Sequence, residues 1–180
     1  VLRVLDTQTA GDAAQSLLVL GAGGAARAAW AAARERGMIL RVAARHPLAA
    51  REALQAIGIS PAEIIPLAAP ERLTSALALS SVVINATPVG MGDPHASPLP
   101  VDLLKHLPAS ALIFDMVYAP PDTALLRAAR ALGLRTVGGL DMLLEQGAAA
   151  FQLWTGQRAP IEVMRAALAT SVIGDTSDAK

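Results

Sequence analysis

The residues best suited to chemistry in this sequence sit where an apolar run meets a glycine cluster. Ser16-Leu17-Leu18-Val19-Leu20 leads into Gly21-Ala22-Gly23-Gly24-Ala25-Ala26-Arg27-Ala28. The apolar run predicts a parallel strand buried on both faces, and the alanine-rich continuation predicts a helix. Gly21 permits a tight turn, while Gly23, Gly24 and Ala25 keep bulky side chains away from the start of the helix. Uncovered N–H groups and the positive end of the helix dipole then attract an anion such as a phosphate. Ala26 occupies the last position of a G-x-G-x-x-G/A pattern, where a small residue lets the helix lie close to the sheet around a dinucleotide pyrophosphate. Alone, such a turn also fits other α/β proteins.

The second informative place follows the next apolar run, where Val42-Ala43-Ala44-Arg45-His46 carries no carboxylate. In dinucleotide-binding sheets a carboxylate there takes the ribose hydroxyls and repels a 2′-phosphate, whereas an arginine accommodates that phosphate. Arg45 therefore selects NADP over NAD, with His46 as an additional phosphate contact and Arg51 as a solvated side chain. Further along, Asn85-Ala86-Thr87-Pro88-Val89-Gly90-Met91 brings a polar Asn and a Thr hydroxyl out of a buried strand at the expected cofactor edge. Asp115-Met116-Val117-Tyr118 ends another strand. Asp115 could be an acid or base, but a carboxylate there more often anchors nearby N–H and O–H groups. In Gly138-Gly139-Leu140-Asp141-Met142-Leu143-Leu144-Glu145-Gln146, Asp141 could cap a helix. Met142 and Gln146, four apart, share one face that either lines a pocket or packs into a core.

These groups need a scaffold, and the pattern supplies one. Strands are predicted at 16–20, 39–43, 64–67, 82–84, 112–114 and 136–137. Helices are predicted at 24–36, 48–57 and 123–132, each followed by a glycine, with a weaker helix at 70–79. Two successive helices, 140–155 and 160–169, close the chain, and 86–100 is a long Gly- and Pro-rich loop after a strand. Alternation of this kind predicts a Rossmann-like, doubly wound, mostly parallel six-stranded sheet with flanking helices and two C-terminal helices. Ligands of such sheets bind beside the carboxyl ends of the strands.

Composition excludes several alternatives. Fifteen basic residues balance fifteen acidic ones, so no global field recruits nucleic acid or an anionic membrane. The absence of cysteine removes disulfides, thiolate nucleophiles and thiolate metal sites, and makes the cytoplasm the default compartment. His46, His95 and His106 lack metal-ligand spacing. No apolar run is long enough to span a bilayer. The two lysines, Lys105 and Lys180, occupy no position that looks desolvated.

The glycine turn, the Asn85 to Met91 turn, Asp115-Met116-Val117-Tyr118 and Gly139-x-x-Met142-Leu143-x-x-Gln146, followed by Phe151, Trp154 and Gly156, together resemble the shikimate dehydrogenase family over about residues 16–168. The resemblance implies NADPH-dependent, reversible reduction of 3-dehydroshikimate to shikimate in aromatic amino-acid biosynthesis. It implies that Gly21, Gly23, Gly24 and Ala25 meet the pyrophosphate and that Arg45 meets the 2′-phosphate. Thr87 and Val117 would lie near the nicotinamide half, and Gly139 would offer its carbonyl to the nicotinamide amide; Asn85 and Met142 are expected among the cofactor-binding residues as well. Tyr118 and Gln146 would reach the substrate. Where the family carries Asn-Arg-Thr, this chain has Ala44-Arg45-His46, which keeps the arginine and changes the polar residues that flank it.

The family's catalytic lysine and aspartate belong to an amino-terminal, substrate-binding domain that resembles nothing here. The expected organisation is therefore 1–15 as the remnant of an interdomain helix and linker, 16–173 as the NADP-binding domain, and 174–180 as a frayed tail. Residues 1–5 are expected to have little to pack against. A homodimer through a surface otherwise covered by the amino-terminal domain is a further expectation. The alternative readings are a quinate/shikimate dehydrogenase using NAD and a non-catalytic dinucleotide-sensing module.

Overall fold

The computed structural model describes residues 1–9 and 16–174. Residues 10–15 of the expected linker and 175–180 of the expected tail lie outside them. The elements follow in the order α1 (Leu2–Gln8), β1 (Ser16–Leu20), α2 (Gly24–Glu35), β2 (Ile39–Ala44), α3 (Pro47–Gln55), β3 (Glu63–Pro66), α4 (Pro70–Ala78) and β4 (Val82–Asn85). A 3-10 helix (Val101–His106) precedes β5 (Leu112–Asp115), α5 (Ala124–Ala131), β6 (Arg135–Val137), α6 (Gly139–Thr155) and α7 (Ile161–Gly174).

The six strands form one sheet in the order β3-β2-β1-β4-β5-β6, and every pairing is parallel. This is the dinucleotide-binding strand order, whose direction of winding reverses between β1 and β4. Central β1 is buried at all five positions. Leu17 and Val19 pack into a cluster with Trp30 of α2, Leu54 of α3 and Met142 of α6. Leu18 and Leu20 pack into a second cluster with Leu73 and Leu77 of α4, Leu104 of the 3-10 helix and Leu125 of α5. Alternate residues of one strand thus feed two cores, which is why its sequence reads as a continuous apolar run.

Three features differ from the sequence expectation. Residues 1–5 do have something to pack against: Val4 and Leu5 of α1 are buried in the core cluster that contains Trp30 and Met38, and Arg36 pairs with Asp6. The period of a seven-residue helix carries too few apolar positions to show this in advance. The 3-10 helix, which buries Leu104, is likewise too short to print a period. The last helix runs on to Gly174, beyond the expected stop at 169.

Register sets the site. Leu20 of β1 is level with Ala43 of β2 and with Asn85 of β4, and Asn85 is level with Asp115 of β5. The glycine turn, the Arg45 segment, the Asn85 turn and the Val117–Tyr118 segment therefore all leave the sheet at the same edge.

Candidate functional site

Gly21 leaves β1 with φ +112, a region that disfavours any side chain. Its N–H donates to Ala43 O at 2.8 Å, and a Cβ there would stand 3.0 Å from Ala86 O and 3.1 Å from Thr87 Cγ2. Here the exits of β1, β2 and β4 crowd together, and only glycine fits. Gly23 and Gly24 are different: a Cβ on either would meet nothing within 4 Å, so packing does not demand them. Both are exposed with Ala25, and no side chain caps α2. The first N–H groups of a helix have no partner four residues back, so these positions present open donors at the positive end of the dipole. Ala26, fully buried, seats the helix against the sheet.

Beyond Ala44, the last residue of β2, Arg45 and His46 are exposed. Arg45 makes no hydrogen bond or ion pair among the described residues. His46 is the residue before the first turn of α3, where Pro47 takes a position that needs no N–H. Because β2 is level with β1, the free guanidinium is rooted beside the glycine turn and no carboxylate accompanies it.

The next strand pair carries a buried polar network. Asn85 is fully buried; its Nδ2 donates to Asp115 Oδ1 at 2.8 Å and to Val89 O at 3.3 Å. Its Oδ1 accepts from Thr87 N at 3.0 Å and Thr87 Oγ1 at 2.7 Å. An asparagine side chain has two donations and two acceptances to make, and all four are made here. With all four made, Asn85 holds the 85–89 turn in shape, and Thr87 stands half-buried beyond it. Asp115, also fully buried, accepts from Val117 N at 3.0 Å and from Thr123 Oγ1 at 2.7 Å as well. Burial pushes its carboxyl above the ordinary carboxylate range, against the hydrogen bonds from Thr123, Val117 and Asn85 that pull it down. Asp115 thus anchors backbone and hydroxyl groups and is sealed from the surface.

Thr123 was not among the candidate residues, yet it joins the network and caps α5, accepting from Leu126 N at 3.3 Å. A threonine at a helix start was the available signal. The long 86–100 loop is held to α5 by Arg127, which donates to Pro94 O at 2.6 Å and to Asp122 O at 2.6 Å.

Past β5, Val117 is buried and Tyr118 is exposed. Gly139 begins α6 so close to this segment that a Cβ would stand 2.6 Å from Met116 O, Val117 C and Val117 O. Its N–H donates to Val117 O at 3.3 Å. Gln146 is exposed on α6, whereas Met142 is buried in the core cluster that contains Trp30. Asp141 does not cap the helix. Gly138 is the capping residue, and Asp141 lies in the first turn with its carboxylate 3.5 Å from Arg165.

Other locations add nothing to this edge. A groove lined by Arg51, Leu54, Gln55 and the 59–64 segment opens beside the amino end of β3 and shares no residue with the groups above. Among the described residues no cluster of His, Asp or Glu could hold a metal ion, and no helix is long and apolar enough to cross a membrane.

A family model described as the shikimate 5'-dehydrogenase C-terminal domain matches residues 139–169. A shikimate dehydrogenase (NADP(+)) of Thermosynechococcus vestitus is 45% identical over 162 residues, covering 87% of this chain and 54% of the relative. That of Halorubrum lacusprofundi is 42% identical over 159 residues, with 87% and 54% covered. The chain thus spans about half the length of these curated relatives. Among solved structures, shikimate 5-dehydrogenase of Thermus thermophilus, in complex with NADP(H) and shikimate, superposes with a TM-score of 0.78 at 37% identity, covering 94% of this chain and 59% of that one. A quinate dehydrogenase of Corynebacterium glutamicum in complex with NAD gives 0.79 at 28% identity, with 94% and 60% covered. With its sheet order, its glycine turn and these matches, the chain belongs to the shikimate dehydrogenase family, where it corresponds to the carboxyl-terminal domain.

Proposed function

We propose that this chain holds NADP(H) at the carboxyl edge of its sheet and forms the cofactor-binding half of a shikimate dehydrogenase, which interconverts 3-dehydroshikimate and shikimate. The observation that carries this reading is the pairing of an uncapped, glycine-fronted α2 with an unpartnered arginine rooted beside it. The N–H groups at Gly23, Gly24 and Ala25 suit a pyrophosphate. Arg45 suits a 2′-phosphate, which it can grip with two parallel hydrogen bonds, and His46 stands next to it. Gly21 brings Thr87 close to the turn, and Thr87, Val117 and Gly139 mark the strand exits toward the nicotinamide half. When bound, the nicotinamide supplies the hydride chemistry. Tyr118 and Gln146, both exposed, face the substrate. Substrate carboxylate binding and proton transfer fall to the amino-terminal domain that the relatives' extra length accommodates.

Titration of the 180-residue chain with NADPH and with NADH tests the cofactor assignment. A charge-assisted contact is worth about 1.5–3 kcal/mol, or roughly 10- to 100-fold in affinity. NADPH should bind tighter than NADH by that factor, and Arg45→Ala should remove the preference without shifting the melting temperature. Equal binding of NADH would move the assignment to an NAD-using relative of the quinate dehydrogenase kind. The chain alone should not oxidise shikimate; turnover would overturn the division of labour. A purely sensory module has no use for exposed substrate-side groups such as Tyr118 and Gln146, which favours the enzyme.

A further inference from the structure

Every element that carries a proposed cofactor contact on the nicotinamide side is tied, directly or through one intermediary, to a single buried carboxylate. Asp115 Oδ1 holds Asn85 Nδ2 at 2.8 Å and Val117 N at 3.0 Å, and Oδ2 holds Thr123 Oγ1 at 2.7 Å. Through Asn85 it fixes Thr87, whose N–H and hydroxyl both bind Asn85 Oδ1. Through Val117 it fixes the start of α6, because Gly139 N donates to Val117 O at 3.3 Å. Through Thr123 it fixes the N-terminus of α5, which in turn holds the 86–100 loop by way of Arg127. The glycine turn abuts the same assembly, since Gly21 packs against Ala86 O and Thr87 Cγ2.

A neutral side chain of the same shape cannot replace it. Three donors converge on two oxygens, and an amide would turn an N–H₂ toward one of them. We propose that Asp115, with Thr123, is the positioning residue of the nicotinamide edge: it sets the exits of β4 and β5 and the start of α6 in one arrangement, without touching the ligand. This rests on the reading that the chain binds NADP(H). The adenosine half depends on α2 and Arg45, which the network does not hold directly. Loss of Asp115 therefore separates the two halves of the dinucleotide.

Two probes exploit that separation: NADPH, which spans both halves, and adenosine 2′,5′-bisphosphate, which reaches only the Arg45 side. Asp115→Asn should weaken NADPH binding about 10-fold or more while the bisphosphate changes less than about 2-fold, the size of one lost charge-assisted anchor. Thr123→Val, which spares the carboxylate, should lower NADPH affinity by a smaller factor, and Thr123→Ser should restore it. The Thr123 pair carries the test if Asp115→Asn does not fold. Equal losses for both probes, or no loss for either, would overturn the positioning role. If the wild-type chain binds neither probe, the dinucleotide reading fails and the positioning role falls with it; if it binds both and the variants show no selectivity, only the positioning role fails.

Discussion

At the scale of single residues, Asp115 sets desolvation against three hydrogen bonds. Burial pushes its carboxyl above the ordinary carboxylate range, against the hydrogen bonds from Thr123, Val117 and Asn85, so the folded state holds the proton more tightly than the unfolded chain. For a group shifted in that direction, the stabilising contribution is fully present below the unfolded pKa and is lost as pH rises through the folded one. Urea unfolding of wild type and Asp115→Asn across a pH series should show this. The stability of wild type relative to the variant should be greatest in acid and should fall as pH climbs from about 3.8 through the raised value. Parallel curves, or a difference growing with pH, would mean that the three hydrogen bonds outweigh desolvation.

Among the elements, α2 separates what folding needs from what binding needs. Packing requires Ala26, Ala29 and Trp30, all fully buried, but asks nothing of exposed Gly23, Gly24 and Ala25. An aspartate in the first turn of a helix stabilises it by about 0.3–1 kcal/mol through the dipole. Ala25→Asp should therefore raise the melting temperature slightly while weakening NADPH binding 10-fold or more, since a carboxylate would compete with the phosphates for the same donors. Calorimetry and a binding titration check the two signs; a variant that gains or loses both together would show that this helix end does not receive phosphate. The same contrast explains what was legible in the sequence. Gly21 and the helix-ending glycines could be read because each acts locally, through backbone conformation at a known point of a strand–turn–helix unit. The link between Asn85 and Asp115 could not. It depends on β4 and β5 lying level across thirty residues of chain, and register is a property of the sheet, not of either strand. The burial of Val4 and Leu5 in the cluster that contains Trp30 was hidden because a seven-residue helix carries too few apolar positions to print a period.

For the molecule as a whole, the two tryptophans report on opposite environments. Trp30 is fully buried in the core, whereas Trp154 is 83% exposed on the last turns of α6, beside Leu153 at 82% and near α7, where Val163 is 68% exposed. Contiguous exposed apolar surface marks interaction sites, and Leu153 and Trp154 are neighbours in the chain. The relative of Thermosynechococcus vestitus is matched over only 54% of its length, and the remainder of a family member's chain is the occupant to test on this face. Quenching by acrylamide separates the two indoles, because the quencher reaches Trp154 and not Trp30. In the 180-residue chain, one of the two emitting tryptophans should be quenched freely. Joining the chain to the amino-terminal domain of a family member should protect that one and leave Trp30 unchanged, and Trp154→Phe should abolish the difference. If the joined protein quenches as the chain alone does, α6 and α7 do not form the contact between domains. Protection that instead grows with concentration of the chain by itself would assign the face to a homodimer, and sedimentation of Trp154→Glu, which should then run as a monomer, would decide it.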